Sequence, residues 1–305
     1  MNEQHYFKDV TLLITHYNRW RSLERLLNSL EKLNCKFEDI VVSDDASRPE
    51  HLDEVKRMQS TYNYRLITTP KNGGYGNCIN KGMDQIHTPY TLYLQEDFVP
   101  FDIFPQNFEH ALTIMNEDQS VDYIRFWAIG EQHIDLKPYK WGFSEMVFKF
   151  SNPHHLKFYQ FSDTPNIKRS TFTEKFGRYR EGIHGDLTDY YMAISFLHNK
   201  GKGLFYNKYD TLFAHDNSDE ASVSRPLTHW KQSTSLPIRL MRFFFLRYKW
   251  MKGTWLVLFL KKNVHSLILA LRLLSDWLPL EEIADIDCRS FDIIDDGRWF
   301  KLVAD

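Results

Sequence analysis

The stretch Val10–Arg19, VTLLITHYNR, joins a short apolar run to a polar turn that carries an aromatic and a basic side chain. The apolar run Val10–Thr15 is rich in β-branched residues, which is typical of a strand buried on both faces. An aromatic ring and a cation directly after such a strand can stack on a base and approach a phosphate. The stretch therefore predicts a buried strand that ends in a ligand-binding turn.

The same arrangement recurs along the first hundred residues. Further apolar strands are predicted at Ile40–Ser43, Tyr64–Thr68 and Tyr90–Leu94. Leucines at helical spacing predict a helix at Ser22–Leu33, a polar helix is expected around Leu52–Ser60, and a third helix should follow the glycines after the third strand. Strands that alternate with helices across short connections predict right-handed βαβ units. We therefore expect an α/β fold with a Rossmann-like, mostly parallel sheet flanked by helices.

Polar residues follow the second and third predicted strands as well. Asp44-Asp45 ends the second strand, where a carboxylate can accept hydrogen bonds from ribose hydroxyls or from an imide N–H. Its alternative role is that of a helix N-cap. The stretch Asn72–Asn77, NGGYGN, can bring backbone amides close to an anion, and its alternative is a plain glycine-rich turn.

Two adjacent acids, Glu96 and Asp97, follow Gln95 at the end of the fourth strand. Carboxylate oxygens are the ligands that Mg²⁺ or Mn²⁺ bound to a diphosphate requires. The carboxyl ends of parallel strands meet at one edge of a sheet, where ligands bind. The four polar clusters together therefore predict a single nucleotide and metal site.

With these residues in this order, the chain resembles the inverting family 2 glycosyltransferases, which have the GT-A fold. The motifs that carry the resemblance are THYNR, VSDDAS, NGGYGNCINKG and YLQEDF. The similarity covers about the first hundred residues well and Gly177–Ser218 more loosely. It implies metal-dependent transfer of a sugar from a nucleotide-sugar, with Mn²⁺ or Mg²⁺ as the cofactor.

The resemblance also implies roles for individual residues. Those that would hold the nucleobase, or lie near it, are Thr15, Tyr17, Asp45 and Arg19. Those that fit the family's N-x-G-x(5)-N pattern beside the nucleotide are Asn72, Gly74 and Asn80. Glu96 would lie near the ribose and donor sugar, and Asp97 would bind the metal. Many members have a first acid where this chain has Gln95, whose amide oxygen is a weak ligand, so Asp97 would carry most of the charge.

An inverting transferase needs a carboxylate that takes the proton of the acceptor hydroxyl. The family's base normally lies at the start of a helix in the second half of the domain, where this chain has Glu181–Met192, EGIHGDLTDYYM. Asp189 fits the position of the base best and Asp186 is the second candidate, while a helix N-cap is the alternative role for either. His215 lies where several relatives have a histidine near the metal, and its alternative role is structural hydrogen bonding.

Charge divides the chain into three parts. Residues 1–220 are mildly acidic, residues 221–275 carry ten basic side chains and no acidic one, and the last thirty residues carry nine acids against three bases. Two basic amphipathic helices are predicted at about Pro237–Lys252 and Thr254–Trp277, with a β-hairpin at Phe291–Leu302. A basic face opposite apolar residues predicts attachment to an anionic membrane surface, and a solvated face on a docked helix pair is the alternative.

We therefore expect a GT-A domain at 1–220, with a nucleotide-binding half (1–100) and an acceptor-binding half (101–220), then a basic helical segment (221–280) and an acidic tail (281–305). Scattered cysteines and the absence of a signal-peptide pattern favour a cytoplasmic protein, peripheral on the inner face of the cell membrane. The acceptor would be a hydroxyl of a lipid-linked or surface-polysaccharide molecule. No nucleic-acid-binding motif is present in the sequence. The alternatives are a sugar nucleotidyltransferase and a catalytically inactive membrane-associated scaffold.

Overall fold

A computed structural model describes residues 4–128, 133–217 and 235–259. The chain divides into two units, Met1–Ala221 and Ser222–Asp305. The described strands of the first unit are β1 (His5–His16), β2 (Cys35–Asp44), β3 (Arg65–Ile67), β4 (Tyr90–Gln95), β5 (Phe98–Pro100), β6 (Tyr123–Arg125), β7 (Asp135–Pro138), β8 (Phe143–Val147), β9 (Asn166–Arg169), β10 (Gly203–Tyr206) and β11 (Phe213–His215).

The described α-helices are α1 (Trp20–Lys32), α2 (Pro49–Tyr62), α3 (Tyr75–Met83), α4 (Phe104–Glu117), α5 (Phe172–Phe176), α6 (Gly185–His198) and, in the second unit, α7 (Leu236–Phe259). Single turns of 3₁₀-helix occur at His155–Phe158 and Tyr209–Thr211. Among the described residues, no helix combines the length and the apolar character that crossing a bilayer requires.

Nine strands form one mixed sheet in the order β3-β2-β1-β4-β9-β6-β10-β8-β7. The first four are mutually parallel, and within the described sheet only β8 and β9 run in the opposite direction. A separate pair, β5 with β11, is antiparallel. The order of the first four strands reverses direction between β1 and β4, which is the point where ligands bind in open α/β sheets.

The sheet forms because β1 is buried on both faces. Leu12 and Ile14 point into one apolar core, together with the leucines of α1. Leu13, between them, points into a second core that contains Ile79 of α3. Alternate side chains of one strand thus bury against helices on opposite sides of the sheet, which is the βαβ arrangement that the apolar run predicted.

The first hundred residues match the prediction closely, and the rest matches less well. The helix expected around Glu181–Met192 is α6, which begins at Gly185. Several strands of this part, among them β7, β8 and β9, were not predicted, because they are short and rich in polar side chains. The first basic helix does not end near Lys252, since α7 continues through Gly253 to Phe259. The remainder of the second basic helix and the terminal hairpin lie outside the described residues.

The two halves of the first unit meet where α3 begins. The Cα of Gly76 lies so close to the main chain that an added Cβ would be 2.0 Å from the carbonyl oxygen of Arg180. Glycine is therefore required here by close approach, because real Cβ atoms do not occur at such a distance from backbone.

We expect Gly76→Ala to destabilise the protein by about 1–3 kcal/mol or more, since backbone must move to admit the methyl group. Gly185→Ala is the matched control: its Cβ would meet Tyr75 at an ordinary 3.7 Å, and alanine favours the helix. Urea unfolding of the two variants measures the difference. Equal stability of the two variants would contradict the close approach.

Candidate active site

A buried hydrogen bond fixes the turn after β1. The Nδ1 of His16 donates to a carboxylate oxygen of Asp44 at 2.7 Å, and both side chains are fully buried. Burial alone would raise the pKa of Asp44, but hydrogen bonds from His16 and Ser47 outweigh it and hold that pKa below its usual value. Because Asp44 is used in this way, its neighbour Asp45 is the carboxylate that faces the site.

Asp45 holds the glycine-rich loop that precedes α3. Its two carboxylate oxygens accept hydrogen bonds from the amides of Gly73 and Gly74, at 2.8 and 2.9 Å. Asn72 donates from its side-chain amide to the carbonyl oxygen of Asp45 at 3.2 Å. Gly74 has a φ of +81°, which glycine adopts without strain. The ends of β2 and β3 are therefore brought together as predicted.

Arg19, just beyond β1, contacts the two acids that follow β4. Its Nη1 lies 2.7 Å from Asp97 and 3.3 Å from Glu96, and all three side chains are buried. Burial and the adjacent charge of Asp97 raise the pKa of Glu96 to about 7, against the opposing effects of His16 and Arg19. Arg19, predicted near the nucleobase, instead lies with the acids of the predicted metal site.

The small sheet of β5 and β11 brings His215 to the same place. His215 pairs with Phe98, the residue after Asp97, and its Nε2 lies 3.1 Å from the Asp97 carboxylate. Burial would raise the pKa of Asp97, but hydrogen bonds from His215 and Arg19 keep it below its usual value. The structure therefore unites Asp97 and His215, which are far apart in sequence.

Asp97 meets one condition for a metal ligand. Its Oδ1 is buried and has no hydrogen-bond partner within the described residues. Among residues 4–128, 133–217 and 235–259, however, no group of three or more His, Cys, Asp and Glu side chains is arranged to enclose a metal. The free Oδ1 of Asp97 is thus the one feature of this cluster that fits a cation, and further ligands would have to come from a substrate.

Gln95 is directed elsewhere. Its Nε2 donates to the hydroxyl of Tyr75 at 3.0 Å, and that hydroxyl is also 3.0 Å from the hydroxyl of Tyr93. Tyr93 in turn lies 3.0 Å from the hydroxyl of Thr15. A chain of hydrogen bonds therefore connects the ends of β1 and β4 with the first residue of α3, and the amide of Gln95 belongs to this chain.

Asp189 lies in the second turn of α6 and is held by the loop before β9. Its two carboxylate oxygens accept hydrogen bonds from the main-chain amide of Asp163, at 3.0 Å, and from the hydroxyl of Ser162, at 3.2 Å. Burial, followed by the charge of Asp163, raises the pKa of Asp189 to about 8. A raised pKa makes this carboxylate a stronger proton acceptor than an exposed aspartate.

Three further expected site residues have contrasting surroundings. Asp186 has a side chain that is 92% exposed, with His184 as its neighbour at 3.7 Å. Asn80 is buried and bonds the main chain of Tyr179 in both directions, at 2.8 and 3.0 Å, because it joins α3 to the second half of the domain. Tyr17 is half-buried beside the site.

Sequence reasoning missed Asp163, Lys168 and Tyr179, which form a buried group behind Asp189. The Nζ of Lys168 lies 3.7 Å from Asp163, and the hydroxyl of Tyr179 donates to Asp163 at 2.9 Å. A lysine in the short strand β9 was the one available signal, since a fully buried lysine requires a partner.

Comparisons with known proteins identify a family and a shared fold. The family model for glycosyl transferase family 2 matches residues 11–178. The structure of residues 1–349 of S. aureus TarS in complex with UDP-GlcNAc is similar to this chain with a TM-score of 0.53 and 17% identity, covering 75% of this chain and 62% of that one. The structure of the same fragment in complex with UDP is similar with a TM-score of 0.51 and 17% identity, covering 67% of this chain and 59% of that one.

The S. aureus TarS structure is also similar, with a TM-score of 0.51 and 19% identity, covering 73% of this chain and 38% of that one. This chain thus spans about three fifths of the length of the 1–349 fragments. No curated protein sequence matches the chain. At these identities the likeness concerns the fold, and it confirms the predicted mixed, mostly parallel sheet flanked by helices.

Proposed function

The chain belongs to glycosyl transferase family 2, and from this premise we propose that it is a metal-dependent inverting glycosyltransferase. It moves a sugar from a UDP-sugar to a hydroxyl of a lipid-linked or surface-polysaccharide acceptor. Family membership favours glycosyl transfer over the nucleotidyl transfer that the parallel sheet alone would allow. The fold shared with a protein crystallised with UDP-GlcNAc supports a UDP-sugar as the donor.

One observation carries the proposal: two carboxylate groups whose pKa values are shifted in opposite directions, the buried Asp97 and the half-buried Asp189, lie at the same end of the sheet. Asp97, at the end of β4, has a lowered pKa, and Asp189 has a raised one. Such a separation of pKa values assigns an anionic ligand to one position and a proton acceptor to the other. The hydroxyl of Tyr75 belongs to the donor-side chain and lies 3.5 Å from the main-chain oxygen of Asp163, beside Asp189.

On the donor side, the ends of β1, β2 and β3 receive the nucleotide. Asp45 anchors the amides of Gly73 and Gly74 and retains lone pairs that can accept the imide N–H of a pyrimidine. Tyr17 offers a ring for stacking, and the N-terminus of α3 supports the approach of phosphate oxygens. Thr15, Asn72 and Gly74 shape the same surface.

The leaving diphosphate is stabilised by positive charge beside Asp97. Asp97 and His215 would hold Mn²⁺ or Mg²⁺, which neutralises charge on the diphosphate when bound. Arg19 contributes a permanent positive charge between Glu96 and Asp97. Gln95 is directed toward Tyr75 through its Nε2, and any contribution to the metal would come from its amide oxygen, a weak ligand.

Transfer then requires one proton movement. The acceptor oxygen attacks the anomeric carbon from the side opposite the diphosphate, the bond to the diphosphate oxygen breaks, and the hydroxyl proton passes to the carboxylate of Asp189. Hydrogen bonds from Ser162 and from the amide of Asp163 hold this carboxylate in one orientation. Attack from the opposite face inverts the anomeric configuration.

We expect Asp189→Asn to reduce transfer at least ~100-fold while nucleotide binding is retained, because only the proton acceptor is lost. Asp186→Asn is the matched control in the same helix and should keep full activity. A panel of nucleotide-sugars screened by thermal shift with Mn²⁺ selects the donor, and UDP release from it measures turnover. Full turnover by Asp189→Asn would refute the assignment of the base.

We expect Asp97→Asn to abolish Mn²⁺-stimulated turnover and to weaken Mn²⁺-dependent binding of UDP, since a neutral amide replaces the buried carboxylate. Asp102→Asn removes an exposed acid five residues downstream and should change neither quantity. Titration calorimetry with UDP, with and without Mn²⁺, tests binding separately from catalysis. An unchanged metal dependence in Asp97→Asn would exclude Asp97 as the ligand.

The helix α7 supports attachment to a membrane. Its large apolar side chains form a stripe at helical spacing and are between 41% and 67% exposed; they include Leu240, Phe244, Tyr248, Met251 and Trp255. Arg239, Lys249 and Lys252 lie on the opposite side of the helix, while Arg247 lies within the stripe. An exposed apolar stripe opposite cationic side chains is typical of a helix at the surface of an anionic bilayer.

We expect the protein to bind vesicles that contain anionic lipid and to bind neutral vesicles much more weakly, since each nearby cation contributes about 1 kcal/mol. Phe244→Glu should reduce binding at least ~10-fold, because it places a charge in the stripe. Phe101→Glu, at an exposed phenylalanine of the first unit, is the matched control. Vesicle sedimentation measures all three proteins, and equal binding of the two lipid mixtures would refute the anionic attraction.

A further inference from the structure

We propose that Asp163 is a positioning residue for the base: held in place by Lys168 and Tyr179, it orients the carboxylate of Asp189 and keeps it strongly basic. This inference rests on the proposed function in one respect, that Asp189 accepts the proton of the acceptor hydroxyl. Asp163 itself touches no substrate in this account and acts through Asp189.

The orientation comes from the loop that precedes β9. Ser162 donates to one carboxylate oxygen of Asp189 at 3.2 Å, and the amide of Asp163 donates to the other at 3.0 Å. Both donors come from consecutive residues of one loop, so the plane of the carboxylate depends on the position of that loop. The hydroxyl of Tyr123 is bonded to the main chain of Ser162 at 2.8 and 3.2 Å, which holds the loop against β6.

The side chain of Asp163 is anchored from behind. Its Oδ1 accepts from the hydroxyl of Tyr179 at 2.9 Å and lies 3.7 Å from the Nζ of Lys168. Lys168 is fully buried, and its Nζ donates to the oxygen of Tyr179 at 2.9 Å. Lys168, Tyr179 and Asp163 therefore contact one another through polar atoms, and these contacts fix the loop.

The second carboxylate oxygen of Asp163 is an unusual feature. Oδ2 is buried and has no hydrogen-bond partner among the described residues. An unpaired oxygen of this kind leaves the negative charge of Asp163 incompletely compensated, and the nearest acid held by the same loop is Asp189. The arrangement thus places a second acidic group, of like charge when ionised, next to the base.

The charges around the pair explain the direction of each effect. Burial raises the pKa of Asp163 to about 6, although Lys168 and Tyr179 oppose the rise. The ionised carboxylate of Asp163 adds to burial in raising the pKa of Asp189. The titratable and charged groups that face the two carboxyl groups are Tyr75 of α3, Tyr93 of β4, Tyr123 and Arg125 of β6, Lys168 of β9, and Tyr179.

Two substitutions should move the pH profile of turnover in opposite directions. Asp163→Asn removes the like charge but keeps the main-chain amide, so the acid limb of kcat/KM should move to lower pH by about half a unit or more. Ser162→Ala removes a hydrogen bond that favours the ionised form, so the acid limb should move to higher pH. The measurement is UDP release with water as acceptor, using the UDP-sugar selected by thermal shift, from pH 5.5 to about 10.

A role in folding alone would lower kcat at every pH without moving the acid limb, and that result in both variants overturns the proposal. The Ser162→Ala variant retains the buried charges and keeps the test available if Asp163→Asn does not fold. Asp189→Asn, measured beside them, tests the role of Asp189 as the base separately from the role of Asp163. If Asp189→Asn is inactive while the pH profiles of the other two variants are unshifted, Asp189 is the base and Asp163 does not position it. If Asp189→Asn is fully active, Asp189 is not the base.

Discussion

The ion pair between Arg19 and Asp97 is the interaction on which the site depends. It joins the residues that follow the neighbouring parallel strands β1 and β4, across a distance of 2.7 Å, and both side chains are almost fully buried. Two adjacent acids could not stay ionised there without a cation, because isolated buried charges are too costly. The same carboxylate also receives His215, and the main-chain oxygen of Asp97 accepts the amide of Asp216, so the end of the domain is ordered by its contact with the beginning.

A second group of buried charges, around Asp189, is balanced differently. Arg19 and His215 more than offset the burial of Asp97, whereas Lys168 serves two carboxylates and lies nearest to Asp163. The result is a carboxylate of lowered pKa at one position and a carboxylate of raised pKa at the other. One edge of the sheet can thus hold a carboxylate anion, Asp97, that stabilises positive charge, and a carboxylate, Asp189, that can accept a proton. An inverting sugar transfer requires both.

The described helix of the second unit, α7, exposes large apolar side chains. Residues of α7 expose an apolar stripe that a protein in water normally buries, and its cations lie mainly on the other side of the helix. The formal net charge of −2 for the whole chain conceals this division, since an acidic tail offsets the basic segment. The distribution of charge along the chain, and not its total, therefore distinguishes the basic segment from the acidic parts on either side of it.

The sequence by itself determined the elements of the first hundred residues, because apolar runs and leucine spacing act locally. It also indicated the polar clusters that follow those strands, including Asp45 and Asp97. Only the tertiary structure showed that Asp189 is held by the loop before β9 while Asp186 is exposed, and that Arg19 lies beside the two acids. It also joined Gln95 to Tyr75 and Asn80 to Tyr179, and it revealed Asp163 with Lys168. These outcomes depend on burial and on partners between 16 and more than 100 residues apart, and no local pattern encodes which distant side chain compensates a buried charge.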